Sequence, residues 1–131
     1  MLKILLRGMG TLNLLAAVGV VMPRTWLEWF HQYAGMGAAP EAPLLEYVVR
    51  SLSAFYALYG GLLWVISSDT RRHATVIAYS GAAAIAFGLA LLAIDLRLQL
   101  PAAWTWLEGP GAIAYGVLVL LALRAALRKE A

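Results

Sequence analysis

Four long stretches of this 131-residue chain carry no charged side chain: residues 8–23, 51–67, 74–94 and 109–123. A helix needs about 20 mostly apolar residues to cross a bilayer's hydrocarbon core, at about 1.5 Å of rise per residue. The third stretch reaches that length alone. The others reach it by recruiting flanking residues whose long side chains extend to the interface: Lys3 and Arg7 before the first, Glu46 and Arg50 within the second, Arg124 and Arg128 after the fourth. The expected fold is therefore all-α, a four-transmembrane-helix bundle in one integral membrane domain covering 1–131, with spans at about 3–22, 44–67, 74–97 and 109–127. Composition agrees, with 63% hydrophobic and 13% charged residues and a mean hydropathy of +0.77, far from a soluble domain's balance.

The first run has a basic start and an apolar middle, as a secretory signal does. It lacks a small-x-small cleavage pattern before Pro23 and is followed by three more runs, so it is read as a retained span. Short loops rich in Lys and Arg stay in the cytoplasm. With both termini on one side, that side holds Lys3, Arg7, Arg71, Arg72, Arg124, Arg128 and Lys129; the other holds Arg24, Arg50 and Arg97. The expected location is the bacterial cytoplasmic (inner) membrane, multi-pass, both termini cytoplasmic. Glu28, Glu41, Glu46, Asp95 and Glu108 then lie outward, and Asp69 and Glu130 inward. The sequence pI of about 9.5 follows from this inner rim of basic residues, and no nucleic-acid partner is expected.

The first outer loop opens at Pro23, and residues 25–33 read as a short amphipathic interfacial helix. Trp26, Trp29, Phe30 and Tyr33 recur at three- and four-residue steps and share a face. Such a helix suits the headgroup layer or a lid over the bundle's mouth, with Trp26, Trp29, His31 and Tyr33 as the candidate mouth residues. Gly35, Gly37, Pro40 and Pro43 break it. The second outer loop, ahead of the fourth span, carries Trp104 and Trp106 as interface anchors.

Helices in lipid associate over small residues, since apolar side chains gain little by exchanging one oil for another. Stripes at four-residue spacing mark three candidate packing faces: Ser53, Ala57 and Gly61; Ser80, Ala84 and Gly88; Ala112 and Gly116. Extended outward at helical steps, these faces meet Arg50 and Glu46, Asp95, and Glu108. An unpaired Arg within a span costs about 2.5–3.5 kcal/mol on insertion scales, so Arg50 requires a partner. The expectation is a polar cluster of Glu46, Arg50, Asp95 and Glu108, with the carboxylates clamping the guanidinium. Asn13 is expected to bond another helix, and Asp69 to cap the third span.

Several chemistries are excluded. Without cysteine there is no disulfide scaffold, thiolate metal site, iron–sulfur cluster or dithiol relay. His31 and His73 fall on opposite sides of the membrane and cannot share a haem. The first span lacks the acid that small dimeric multidrug exporters require, and Gly8-Met9-Gly10 lacks the context of a phosphate loop. No catalytic residue, metal or cofactor is expected.

Residues 50–64, Arg50-Ser51-Leu52-Ser53-Ala54-Phe55-Tyr56-Ala57-Leu58-Tyr59-Gly60-Gly61-Leu62-Leu63-Trp64, resemble the pattern of an Arg, aromatic and small residues, then glycine and an apolar run in DoxX-like and related small four-span bacterial membrane proteins. The resemblance implies a small inner-membrane four-helix bundle, sometimes an accessory subunit of a larger complex, and no catalytic residues. The leading expectation is a non-enzymatic accessory or self-assembling component, whose partners are the lipid bilayer and either further copies of itself or a larger membrane complex. Uncovered small residues such as Ala16 and Gly19 would seat such a chain. The alternative is a binder or transporter of a small molecule, lipid headgroup or ion at Glu46, Arg50, Asp95 and Glu108.

Overall fold

The computed structural model describes residues 1–128; Lys129 and Glu130, both counted above on the inner side, lie outside the described residues. The described chain is all-α: α1 (Leu2–Leu15), α2 (Val18–Val21), α3 (Arg24–Tyr33), α4 (Pro43–Ser68), α5 (Ala74–Leu98) and α6 (Ala102–Arg128). Four segments are long and apolar enough to cross a membrane: Leu2–Val21, Pro43–Ser68, Ala74–Leu98 and Ala102–Arg128. At about 1.5 Å per residue, α4 alone extends about 39 Å, beyond the ~30 Å hydrocarbon core. Contacts divide the chain into two compact units, Gly8–Trp64, and Met1–Arg7 with Val65–Ala131.

In the first unit α1 and α4 run antiparallel across a glycine crossing. A Cβ on Gly60 would stand 2.5 Å from the Gly10 carbonyl oxygen and 2.7 Å from the Leu14 nitrogen, so both backbones meet where neither chain has a side chain. Further along, a Cβ on Gly19 would run into Ser53, so Gly19 is covered from within the chain and does not offer the open seat that an uncovered glycine there would have given another chain. Trp64 Nε1 donates to Thr11 Oγ1 at 3.2 Å. Asn13 differs from expectation: its Nδ2 donates to Met9 O at 2.9 Å, one turn back in its own helix. The first span is not one continuous α-helix. Between Asn13 and Val20 the amides bond three residues back, Ala16 to Asn13, Ala17 to Leu14, Gly19 to Ala16 and Val20 to Ala17, which tightens the chain into a turn between α1 and α2.

In the second unit α5 and α6 form an antiparallel hairpin. Its close approaches pair Gly81 with Gly116 and Gly88 with Gly109, seven residues apart on each helix. The buried apolar residues are Leu2, Leu6, Ile66, Ile77, Val119, Ala122 and Leu123, with Ser67 fully buried and accepting from Arg7 Nε at 3.2 Å. Asp69 closes the turn that enters α5 by accepting from the Arg72 amide at 3.0 Å; the cap position of α5 is His73, which makes no side-chain cap. The expected helix cap is thus a cap on the turn, one step earlier in the chain.

The connection between α5 and α6 is much shorter than the sequence suggests. Gln99 takes a left-handed conformation (φ 54°), the amides of Gln99 and Leu100 both bond the Asp95 carbonyl, and α6 starts at Ala102. Trp104, Trp106 and Glu108 therefore belong to α6, not to a loop before it. Pro110, read as a helix entry, sits inside α6. A proline there removes one hydrogen bond, to the carbonyl four residues back, yet the helix continues through it.

Candidate functional site

The end of the first span creates a demand for donors. Pro23 has no N–H, and Met22 before it is extended (φ −60°, ψ 144°), so α2 stops with carbonyls unused. Arg50 of α4 supplies the donors: Nη1 to Val20 O at 2.7 Å and Nη2 to Met22 O at 3.2 Å. Its Nη2 also lies 3.5 Å from Glu46 Oε2. A cation at a helix C-terminus is favoured by the helix dipole as well as by the hydrogen bonds.

Glu46 continues the network. Its Oε1 accepts from Arg24 Nη1 at 2.9 Å, Arg24 Nε donates to Glu28 Oε1 at 3.0 Å, and Arg24 Nη2 donates to Pro40 O at 3.3 Å. One planar guanidinium thereby joins the first turn of α3, the glycine-rich loop and the first turn of α4, a task for which its fork of five N–H donors is suited. The two carboxylates raise the Arg24 pKa above its ordinary value and keep it charged. Arg50, Glu46, Arg24 and Glu28 alternate in sign and sum to zero.

Helix α3, fixed in this way, turns its aromatic residues outward. Trp26, Trp29 and Phe30 are exposed and line an open depression, and Tyr33 is 80% exposed. Trp29 stacks on Tyr33 with ring centroids 5.2 Å apart and meets Phe30 edge-on at 4.9 Å. His31 shares none of this: its Nδ1 pairs with Gly37 O at 2.9 Å and ties α3 to the loop, where Gly35 and Gly37 hold positive φ angles.

Asp95 and Glu108 lie in the other unit. Asp95, one heptad beyond Gly88, is 2% exposed, and its Oδ2 has no hydrogen-bond partner. Glu108 of α6 is half-buried. Buried Thr105 directs its hydroxyl to Leu100 O and Pro101 O, each 3.4 Å away.

The structure thus places Glu46 and Arg50 together in one unit, and Asp95 and Glu108 together in the other. Of the small residues, Gly88 and Gly116 stand at backbone approaches, Ser80 is buried, and Ser53 meets Gly19, while Ala57, Ala84 and Ala112 are half-buried. A Cβ on Gly61 would meet nothing within 4 Å; the neighbouring Gly60 makes the crossing. Sequence reasoning passed over Arg24 and Glu28, although their i, i+4 spacing at the start of a helix signals an ion pair. Val20 and Met22 act through backbone carbonyls, and only the Pro23 stop hints at them.

Among the described residues no group of three or more His, Asp or Glu side chains is arranged to hold a metal ion. What the fold defines is a multi-pass α-helical membrane protein with a charged clamp beneath an aromatic helix. No family model matches the sequence, and no curated protein or solved structure matches it either.

Proposed function

We propose that this protein is a non-enzymatic accessory or self-assembling component of the bacterial cytoplasmic membrane, with both termini in the cytoplasm and α3 lying at the outer surface. The observation that carries the reading is Arg24, which fixes α3 through Glu28, Glu46 and Pro40 O while Trp26, Trp29, Phe30 and Tyr33 stay exposed. A lid over a reaction site would turn those rings inward. Amphipathic aromatic side chains facing out from a helix that joins two spans suit the headgroup layer, where they anchor the protein's depth. The orientation rests on the excess of Lys and Arg at the termini and the 69–73 turn. The resemblance of residues 50–64 to DoxX-like proteins supports the accessory role.

Native mass spectrometry of the protein released from lipid nanodiscs tests this reading. The expected result is an oligomer or a retained second polypeptide. A lone chain overturns it, and a lone chain with a stoichiometric organic adduct replaces it with small-molecule binding.

A further inference from the structure

The unit that holds Met1–Arg7 and the α5–α6 hairpin carries its charges unevenly. Gly81 of α5 faces Gly116 of α6. At about 1.5 Å per residue, the start of α5 at Ala74 and Arg124 of α6 both stand about 11–12 Å beyond that crossing, on the same side of it. Arg71 and Arg72, in the turn before α5, therefore lie level with the last turns of α6, which hold Arg124 and Arg128. Helix α1 brings two more cations to this end. Its Leu2 and Leu6 are buried in the same unit, and Arg7 Nε donates to Ser67 Oγ just ahead of the turn; Lys3 is one turn further out. All six of these cations are exposed. Among the described residues the one carboxylate at this end is Asp69, whose Oδ1 accepts from the Arg72 amide. At the other end of the hairpin the balance reverses, with Arg97 set against Asp95 and Glu108.

We propose that this rim is a binding surface for anionic phospholipid headgroups, held by Lys3, Arg7, Arg71, Arg72, Arg124 and Arg128. The arginine fork matches two phosphate oxygens at once, and Arg124 and Arg128, one turn apart, share a face of α6. What selects a lipid over a soluble anion is the surface beside the charges. Ile4, Val76, Tyr79, Leu121 and Leu127 are exposed on the membrane-length segments that end at the rim. A soluble polyanion would meet the cations and gain nothing from these side chains. A phospholipid meets both, with its phosphate at the rim and its acyl chains along the helices. The same cations set orientation during insertion, but a lipid contact belongs to the folded protein and responds to headgroup and salt. It depends neither on which compartment the rim faces nor on the accessory role.

The test is electron spin resonance of spin-labelled lipids around the full-length protein in phosphatidylcholine bilayers, comparing labelled phosphatidylglycerol with labelled phosphatidylcholine. The motionally restricted fraction of each gives the preference of the lipid shell. A basic residue beside anionic lipid contributes about 1 kcal/mol, or about fivefold; averaged with the leaflet that does not meet the rim, the expected preference for phosphatidylglycerol is about threefold. It should fall toward one in about 1 M salt, where the screening length shrinks to about 3 Å. Arg124→Gln combined with Arg128→Gln should lower it, whereas Arg97→Gln at the opposite end should leave it unchanged. No preference in the wild-type protein overturns the proposal. So does a preference that salt leaves intact, or one that Arg97→Gln lowers as much as the rim variant does. Inorganic phosphate that abolishes the preference at constant ionic strength overturns it too, by making a soluble anion the occupant. The wild-type spectra decide the matter even where a variant fails to fold. The readout is lipid and not subunit number, so the rim and the accessory role stand or fall separately.

Discussion

The Gly88 Cα and the Gly109 carbonyl oxygen face each other so closely that a Cβ on Gly88 would stand 2.5 Å from that oxygen, and one on Gly109 would stand 2.9 Å from the Gly88 oxygen. Seven residues away on each helix, Gly81 and Gly116 repeat the relation. At Gly88, Gly109 and Gly116 the nearest obstacle is a backbone oxygen, which no rotamer change moves; at Gly81 it is the Leu120 side chain. Gly88→Ala should destabilise the α5–α6 hairpin by about 1–3 kcal/mol, the usual cost of overpacking. Gly61→Ala, whose Cβ meets nothing, should be neutral or stabilising by up to about 1 kcal/mol through helix propensity. Equilibrium unfolding in mixed micelles compares the two. Equal effects at the two positions would show that the close approach carries no weight.

The same glycines show how far the sequence could be read. The charge-free runs, once extended through their charged flanks to 3–22, 44–67, 74–97 and 109–127, located the spanning segments within about a residue, except where the fourth extends back through Glu108 to Ala102. There Pro110 looked like a boundary because proline more often begins a helix than sits inside one. The packing faces were sought at four-residue steps, whereas the observed approaches on α5 and α6 recur every seven: Gly81, Gly88 and then Asp95; Gly109, then Gly116. A heptad spacing keeps one seam along two long helices, while a row of fours drifts around them. Arg50's need for partners was legible from its place in an apolar run. That carbonyls at the end of α2 would supply two of them was not, because a backbone acceptor leaves no trace in residue identity.

Arg50 and Arg24 should differ in what they hold. Arg50→Lys keeps the charge near Glu46 but loses the fork that reaches Val20 O and Met22 O at once, so the turn into α3 should loosen while α3 itself stays on α4. Arg24→Lys should do the reverse, freeing α3 and the Pro40 loop while the end of α2 keeps its caps. Amide hydrogen exchange resolves the two. Faster exchange confined to residues 16–22 is expected for the first, and to 24–40 for the second. Identical patterns would show that the four charges act as one unit.

Asp69 gives a pH dependence with a definite sign. The Arg72 amide hydrogen bond favours the carboxylate and lowers its folded pKa below the ordinary value of about 3.9. The unfolded chain therefore takes up this proton first as pH falls. The contribution to stability is present in full above the unfolded pKa and is lost as pH drops through the folded one. The Arg72 amide proton resonance should titrate with a midpoint below about 3.9, and Asp69→Asn should abolish the titration. A midpoint at or above the model-peptide value would remove the turn cap from the account.

Sidedness can be read from two positions that the connectivity sets apart. Residue 38 lies between α3 and α4, residue 70 between α4 and α5, and α4 is a membrane-length helix. If α4 spans, these positions face opposite compartments, and the chain has no native cysteine to confuse a label. With Arg71 and Arg72 beside it, residue 70 should be cytoplasmic. In intact bacterial cells stripped of their outer barrier, a membrane-impermeant maleimide should label Ala38→Cys at once, and Thr70→Cys only after the membrane is opened. The opposite pattern would invert the protein and place the aromatic helix α3 on the cytoplasmic side. Immediate labelling of both would mean that α4 does not cross, and the reading of α3 as an outer-surface anchor would fail with it.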